Sequence, residues 1–216
     1  MTGSYRFYRE TITLAGHRYA KIFLAEGLAE ALFLNTLFTR KNFDENEYCV
    51  FCIKGISNLG TSLKYLCSET EFDQVKSLGI MIDADDNPKG RMDSVLNHLN
   101  NHDLSDENFD LKENTVFEYN ERQIGIFISP GEGKKGRIET IIVEELSTKK
   151  EYECISEYIN CLSERCHNTL DEKAIVQIYI SSKKSDLCGT GRGFEAMILD
   201  IDHKTYELAV TTFTSI

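Results

Sequence analysis

Gly79-Ile80-Met81-Ile82-Asp83-Ala84-Asp85-Asp86 is a short apolar run that ends abruptly in three carboxylates. Approached through Leu78 and followed by Asn87-Pro88-Lys89-Gly90, it reads as a buried parallel strand that stops at a turn. Its acidic end then lies where open α/β sheets bind ligands, outside the carboxyl ends of the strands. Asp83 and Asp85, two apart, share a side if the extended geometry persists. Carboxylates that close repel each other unless a cation lies between them, and their hard oxygens suit Mg²⁺, Mn²⁺ or Ca²⁺. An isolated Asp-x-Asp is more often a solvated acidic turn, so its neighbours must decide.

Upstream, Lys21-Ile22-Phe23-Leu24-Ala25 reads as a strand that breaks at Glu26-Gly27. Leu28, Ala31, Leu32, Leu34, Leu37 and Phe38 follow at helical spacing and fade at Arg40-Lys41. Glu26 falls at the strand end, and Glu30 falls one turn into the helix, where the amino terminus favours negative charge. A second strand spans Glu47 to Ile53 and closes at Lys54-Gly55; Leu59, Leu63 and Leu66 then give a helix that leads to the Asp83 strand. This alternation predicts right-handed βαβ units, hence an α/β fold with a mainly parallel sheet flanked by helices. Glu26, Gly55 and Asp83 would meet on one rim.

Downstream, Arg91 to Leu99 supports a short helix, and residues 100–122 are polar, acidic and loop-like. Ile124 to Ile128 is a further buried strand, stopping at Ser129-Pro130-Gly131-Glu132-Gly133-Lys134-Lys135-Gly136. Glycines, a hydroxyl and two lysines make that loop either a phosphate site or an exposed flexible turn. A helix then carries Ile138, Ile141, Ile142 and Leu146, with Glu139 in its first turn; another runs from Glu151 to Cys166; a third, capped by Thr169 or Asp171, has Lys173 in its first turns. The tail holds Gly189-Thr190-Gly191-Arg192-Gly193 and an apolar end, read as helix. The expectation is a single domain over 1–216, with its core at about 20–147 and a helical extension at about 148–216.

The composition excludes several classes. With 41% hydrophobic residues and 10% aromatics, the chain can build a sizeable core. A formal charge of -11 and a pI near 5.0 argue against sequence-independent coating of nucleic acid, which needs Lys and Arg to neutralise phosphates. An enzyme acting on nucleic acid survives that test, given local basic patches or a partner, because bound metal offsets clustered carboxylates. Seven cysteines, a Met1 to Arg6 start without an apolar core and the lack of any long apolar segment predict a reduced, cytoplasmic protein with no membrane span. Cys49-Val50-Phe51-Cys52 lies inside a strand pattern with no second pair, so core cysteines outweigh a redox or zinc site.

Glu26 and Glu30, then Asp83 and Asp85, then Glu139 each end a predicted strand or open the following helix. That pattern resembles the topoisomerase-primase (Toprim) fold, in which a Glu-Gly after the first strand and a later Asp-x-Asp build a Mg²⁺ site. Phe23-Leu24-Ala25-Glu26-Gly27 is similar to the Toprim glutamate motif and Gly79 to Asp86 to its Asp-x-Asp motif. Ile126 to Glu139, with Gly136-Arg137-Ile138-Glu139 and then Lys173-Ala174, looks like the later part of a Toprim-like domain-of-unknown-function family related to the overcoming-lysogenization-defect nucleases. Leu28-Ala29, where the usual motif has a polar and then an acidic residue, and Gly131-Glu132, where the family often has Asp-Asn, depart from the pattern.

The resemblance implies roles. Glu26, Asp83 and Asp85 would hold one Mg²⁺ or Mn²⁺ ion, Glu30 and Glu139 would help with a second, and Lys173 would stabilise developing phosphate charge; Glu26, Asp83, Asp85 and Lys173 would be catalytic. Apart from the resemblance, the basic residues Lys134, Lys135 and Arg137 are candidate substrate contacts, with Lys183, Lys184 and Arg192 as further phosphate contacts; the alternative for each is a solvated surface charge. The function implied is a metal-dependent nuclease hydrolysing DNA or RNA, of the kind found beside an ATPase in bacterial anti-phage defence. The alternative is a non-catalytic Toprim module, a metal- or nucleotide-binding subunit of an ATPase-containing complex. Self-association into a homo-oligomer is compatible with either.

Overall fold

Six consecutive buried residues, Ser77 to Ile82, carry the strand that ends at Asp83 through the middle of the sheet. A computed structural model of the chain describes residues 8–9, 12–14, 16–106, 114–167 and 169–216. The strands are β1 (Tyr8–Arg9), β2 (Lys21–Ala25), β3 (Tyr48–Cys52), β4 (Ser77–Asp83), β5 (Thr115–Tyr119) and β6 (Arg122–Ser129). The helices are α1 (Leu28–Arg40), α2 (Leu59–Ser68), α3 (Pro88–Asn100), α4 (Ile138–Leu146), α5 (Glu151–Cys166), α6 (Glu172–Lys183), α7 (Thr190–Glu195) and α8 (Glu207–Thr214). Among the described residues the sheet order is β1-β3-β2-β4-β6-β5, parallel throughout except for β5.

Alternation along the strands assigns the two faces. Phe23, Met81 and Phe127 point to the face covered by α1, α4, α6 and α8. Leu24, Ile80, Ile82, Ile126 and Ile128 point to the face covered by α2 and α3. Each large apolar side chain so buried is worth ~1.5–3 kcal/mol, which gives a sheet apolar on both faces a strong drive to be covered on both. Gly79 sits opposite Phe23 in register, and a Cβ there would lie 2.4 Å from the Phe23 ring. The glycine therefore admits the aromatic ring that links β2 to Phe38 and Phe213.

The chain steps from β2 to β3 on one side and from β3 to β4 on the other side of β2. That reversal is the topological switch point at which open sheets leave a crevice. Because β2, β3, β4 and β6 are parallel, Glu26, Gly55, Asp83 and Ser129 all emerge at the same edge.

The carboxyl-terminal helices dock through a buried acid. Glu145 of α4 is fully buried, and its carboxylate accepts the Tyr206 hydroxyl at 2.8 Å and the Asp200 N–H at 3.4 Å while pairing with Lys149. A buried carboxylate persists only when satisfied in this way.

The expected α/β fold with a mainly parallel sheet and added carboxyl-terminal helices is the one found. Two strands escaped the sequence pattern. β5 lies in the stretch expected to be loop, because an antiparallel edge strand needs no continuous apolar run; Thr115-Val116-Phe117-Glu118-Tyr119 is only partly buried. β1, two residues long, is too short to leave a periodicity. Residues Met1 to Arg6 lie outside the described residues, and no described helix is long and apolar enough to cross a membrane.

Candidate metal centre

Glu26 leaves the end of β2 with both carboxylate oxygens on backbone donors: Oε2 accepts the Asp83 N–H at 2.9 Å and Oε1 the Ile56 N–H at 3.3 Å. Glu30, in the first turn of α1, reaches back so that its Oε2 accepts the Gly27 N–H at 2.9 Å, satisfying a donor that the helix start leaves free. Gly27 is tight there, since a Cβ would stand 2.8 Å from that oxygen. Asp83 Oδ1 accepts the Ile138 N–H at 3.2 Å at the start of α4. Glu139, one residue further, is buried and accepts the Thr190 hydroxyl at 2.7 Å.

Three segments distant in sequence thus bring Glu26, Glu30, Asp83 and Glu139 to one cleft of about 520 Å³. Burial first, and then the charges of Glu30, Glu26 and Glu139, push the Asp83 carboxyl up to about 9. Burial, with Glu139 and Glu26 adding repulsion, pushes Glu30 up to about 7. The helix amino terminus beside Asp83 opposes the shift and does not overcome it. Crowded carboxylates of this kind repel one another, and a cation between them would relieve the repulsion.

Asp85 takes a different path. The strand ends at Asp83, and Asp85 sits at φ 48 in a backbone bridge whose N–H donates to Gly136 O at 2.8 Å, with Gly136 N–H donating back to Asp85 O at 2.8 Å. The extended geometry that would put Asp83 and Asp85 on one side does not persist. The Asp85 carboxylate is held by Arg137 Nε at 2.9 Å and by the guanidinium of Arg91. Its charge is already neutralised by two arginines, although it still borders the cleft.

Of the expected basic residues, Arg137 and Lys173 line the acidic cleft, and both also line an adjoining cleft of about 470 Å³ that Lys135 enters. Arg192 borders the acidic cleft and pairs with Glu195. Lys134 is directed elsewhere, paired with exposed Glu132 at 2.9 Å, and lines neither cleft. Lys183 pairs with Glu151, and Lys184 lines neither cleft. Cys49 and Cys52 are buried in β3, where burial pushes the Cys49 thiol up to about 12.

Of the wall built by Cys188 to Arg192, only Arg192 was expected at the site; Cys188 to Gly191 escaped the sequence reading. Gly191 packs against α1 so closely that a Cβ would meet Leu32 at 2.7 Å and the Leu28 carbonyl at 3.1 Å. The Gly-Thr-Gly-Arg-Gly run was the available signal, since repeated glycine marks close backbone approach.

The donor set is all carboxylate oxygen, which fits Mg²⁺ or Mn²⁺ rather than a softer metal. Among the described residues no trio of His, Cys, Asp or Glu side chains is arranged as a ready ion site. The bonds above explain this, because each carboxylate is drawn toward a backbone or hydroxyl donor. One oxygen each of Glu30, Asp83 and Glu139 takes such a bond, whereas Glu26 uses both.

The model of the family described as "Protein of unknown function (DUF3226)" matches residues 20–215, and the chain belongs to that family. No curated protein matches the chain. Among solved structures, it is similar in fold to the hypothetical protein PH0156 from Pyrococcus horikoshii OT3, with a TM-score of 0.62 at 14% identity, over 92% of this chain and 95% of that one.

Proposed function

We propose that the chain is a Toprim-like, Mg²⁺- or Mn²⁺-dependent phosphodiesterase acting on nucleic acid. The observation that carries this reading is the convergence of Glu26, Glu30, Asp83 and Glu139 on one cleft, with Asp83 and Glu30 pushed to about 9 and about 7 by burial and mutual repulsion. Glu30, Asp83 and Glu139 would hold the ion through the oxygens their structural bonds leave over, with Glu26 fixing the backbone that presents Asp83. One or two such ions, when bound, supply Lewis-acid stabilisation of phosphate charge and a water that ionises near neutral pH.

The chain's own residues supply the rest. The cleft orients a phosphodiester between the acids and the pair Arg137 and Lys173, whose cationic groups meet its non-bridging oxygens. Water oxygen forms a new bond to phosphorus, the bond to one ester oxygen breaks, and that oxygen leaves as an alcohol after taking up a proton. The proton lost by water passes to an acidic side chain of the cleft or to solvent.

The test is cleavage of mixed DNA and RNA in Mn²⁺ by wild type, Glu26→Gln and Asp83→Ala, each checked for intact folding. Cleavage that both variants lose supports the reading; equal activity in all three removes it.

The engagement of both Glu26 oxygens by backbone favours one second reading, a metal- or nucleotide-binding subunit whose site is completed beside an ATPase partner. A subunit of that kind keeps its partner in the Asp83→Ala variant and shows no cleavage alone.

A further inference from the structure

The acidic cleft continues into the adjoining one, and the two share Asp85, Arg137, Glu139 and Lys173. Arg137 and Lys173 therefore stand at the waist of a two-lobed groove. Beyond the shared residues, the second lobe is lined by the apolar Leu170 and Ile175, by Lys135 and by the acids Asp86, Asp171 and Glu172. At about 520 and about 470 Å³, both lobes fall within the ~300–1,000 Å³ of small-ligand pockets.

The charge around this groove limits what it can accept. Eight acidic side chains line the two lobes against four basic ones, Lys135, Arg137, Lys173 and Arg192. Two of the four are already paired, Arg137 with Asp85 and Arg192 with Glu195. Lys135 and Lys173 make no ion pair among the described residues. A duplex carries one phosphate charge per ~1.7 Å of its axis and keeps its bases stacked inside, so it would lay repelling charge along this rim and leave the apolar lining unused. An unpaired strand has half that charge density and can turn a base out of its stack against a wall.

We propose that the substrate is an unpaired polynucleotide strand or strand end, with one phosphodiester at the Arg137 and Lys173 waist and the neighbouring nucleoside in the Leu170 and Ile175 lobe. This rests on the phosphodiesterase reading above and adds to it a choice of substrate class. The second lobe is then a nucleoside subsite, and Lys135 holds the next phosphate.

The test compares hydrolysis in Mn²⁺ of bis(p-nitrophenyl) phosphate with that of matched labelled oligonucleotides, as single strands of DNA and of RNA and as the corresponding duplexes. The unpaired strand is expected to be cut faster than its duplex by about tenfold or more, given the doubled charge a duplex lays on the rim. Its binding, read by fluorescence anisotropy in Ca²⁺, should fall with salt at a log–log slope of roughly −1.4, about 0.7 for each of the two phosphates met. Leu170→Ala should raise KM for the strand about tenfold, the size of a lost apolar contact in a pocket, with little change in kcat. Lys135→Ala should make the salt slope shallower by about one phosphate contact. Cleavage of duplex as fast as single strand, or a Leu170→Ala variant indistinguishable from wild type, overturns the substrate assignment and leaves the phosphodiesterase reading standing. Hydrolysis of none of these substrates overturns the underlying reading, and the substrate assignment with it.

Discussion

Glu26 Oε2 accepts the backbone N–H of Asp83 at 2.9 Å, so the glutamate at the end of β2 fixes the place where β4 releases its aspartate. Gln at position 26 retains one acceptor for that N–H and loses the charge. Glu26→Gln should therefore fold with a melting temperature close to wild type, yet lose Mn²⁺ affinity by the roughly 10–100-fold typical of an outer-shell partner. Glu26→Ala removes the acceptor from two backbone donors, at a further cost of about 1–3 kcal/mol in stability. Thermal melts and calorimetric Mn²⁺ titration of both variants separate the two effects.

Stability should depend on pH in a direction set by the acidic cleft. Asp83 rises from 3.8 to about 9 and Glu30 from 4.5 to about 7 on folding, through burial first and neighbouring carboxylates second. In the window between, the folded chain holds protons that the unfolded chain has released, so stability falls as pH rises. The contribution of these groups is fully present below their unfolded values of 3.8 and 4.5 and is lost as pH passes through about 7 and about 9. The melting temperature of wild type should drop over that range more steeply than that of Glu30→Gln/Asp83→Asn, and saturating Mg²⁺ should flatten the wild-type slope. Parallel slopes for the two proteins would remove the acids as its source.

Ser129, fully buried at the end of β6 and in register with Asp83, has a side-chain oxygen with no hydrogen-bond partner among the described residues. A buried hydroxyl without a partner costs free energy, so Ser129→Ala should leave stability unchanged or raise it by up to about 1 kcal/mol in urea unfolding. A loss of more than that would show that the hydroxyl is satisfied in solution.

Tyr206→Phe should cost about 1.5–3 kcal/mol, the range for a hydrogen bond to a charged group, because it strips a buried donor from Glu145. Far-UV circular dichroism should show the same helix content as wild type, while the urea midpoint moves down.

Much of this was legible in the sequence because period and punctuation agreed. The apolar run into Asp83, bounded by turn residues, read as a buried strand, and the Glu26-Gly27 break marked where β2 hands over to α1. Asp171 was one of two candidate caps for α6, and its side chain does accept the Ala174 N–H at 2.8 Å. What remained hidden depended on contacts rather than on pattern. No spacing rule announces that Asp85 turns to φ 48 and meets Arg91 and Arg137, nor that Lys134 finds Glu132 beside it. The Thr190 hydroxyl on Glu139 joins residues 51 positions apart, a pairing that only tertiary packing creates.

That clasp also makes the cleft a late product of synthesis. Glu26, Glu30 and Asp83 leave the ribosome well before α7, which seats Gly191 against α1 and forms a wall of their cleft. A nascent chain that stops short of α7 has its acids without the wall that carries Thr190 and Gly191. The order of synthesis thereby withholds the enclosed site until α7 has been made.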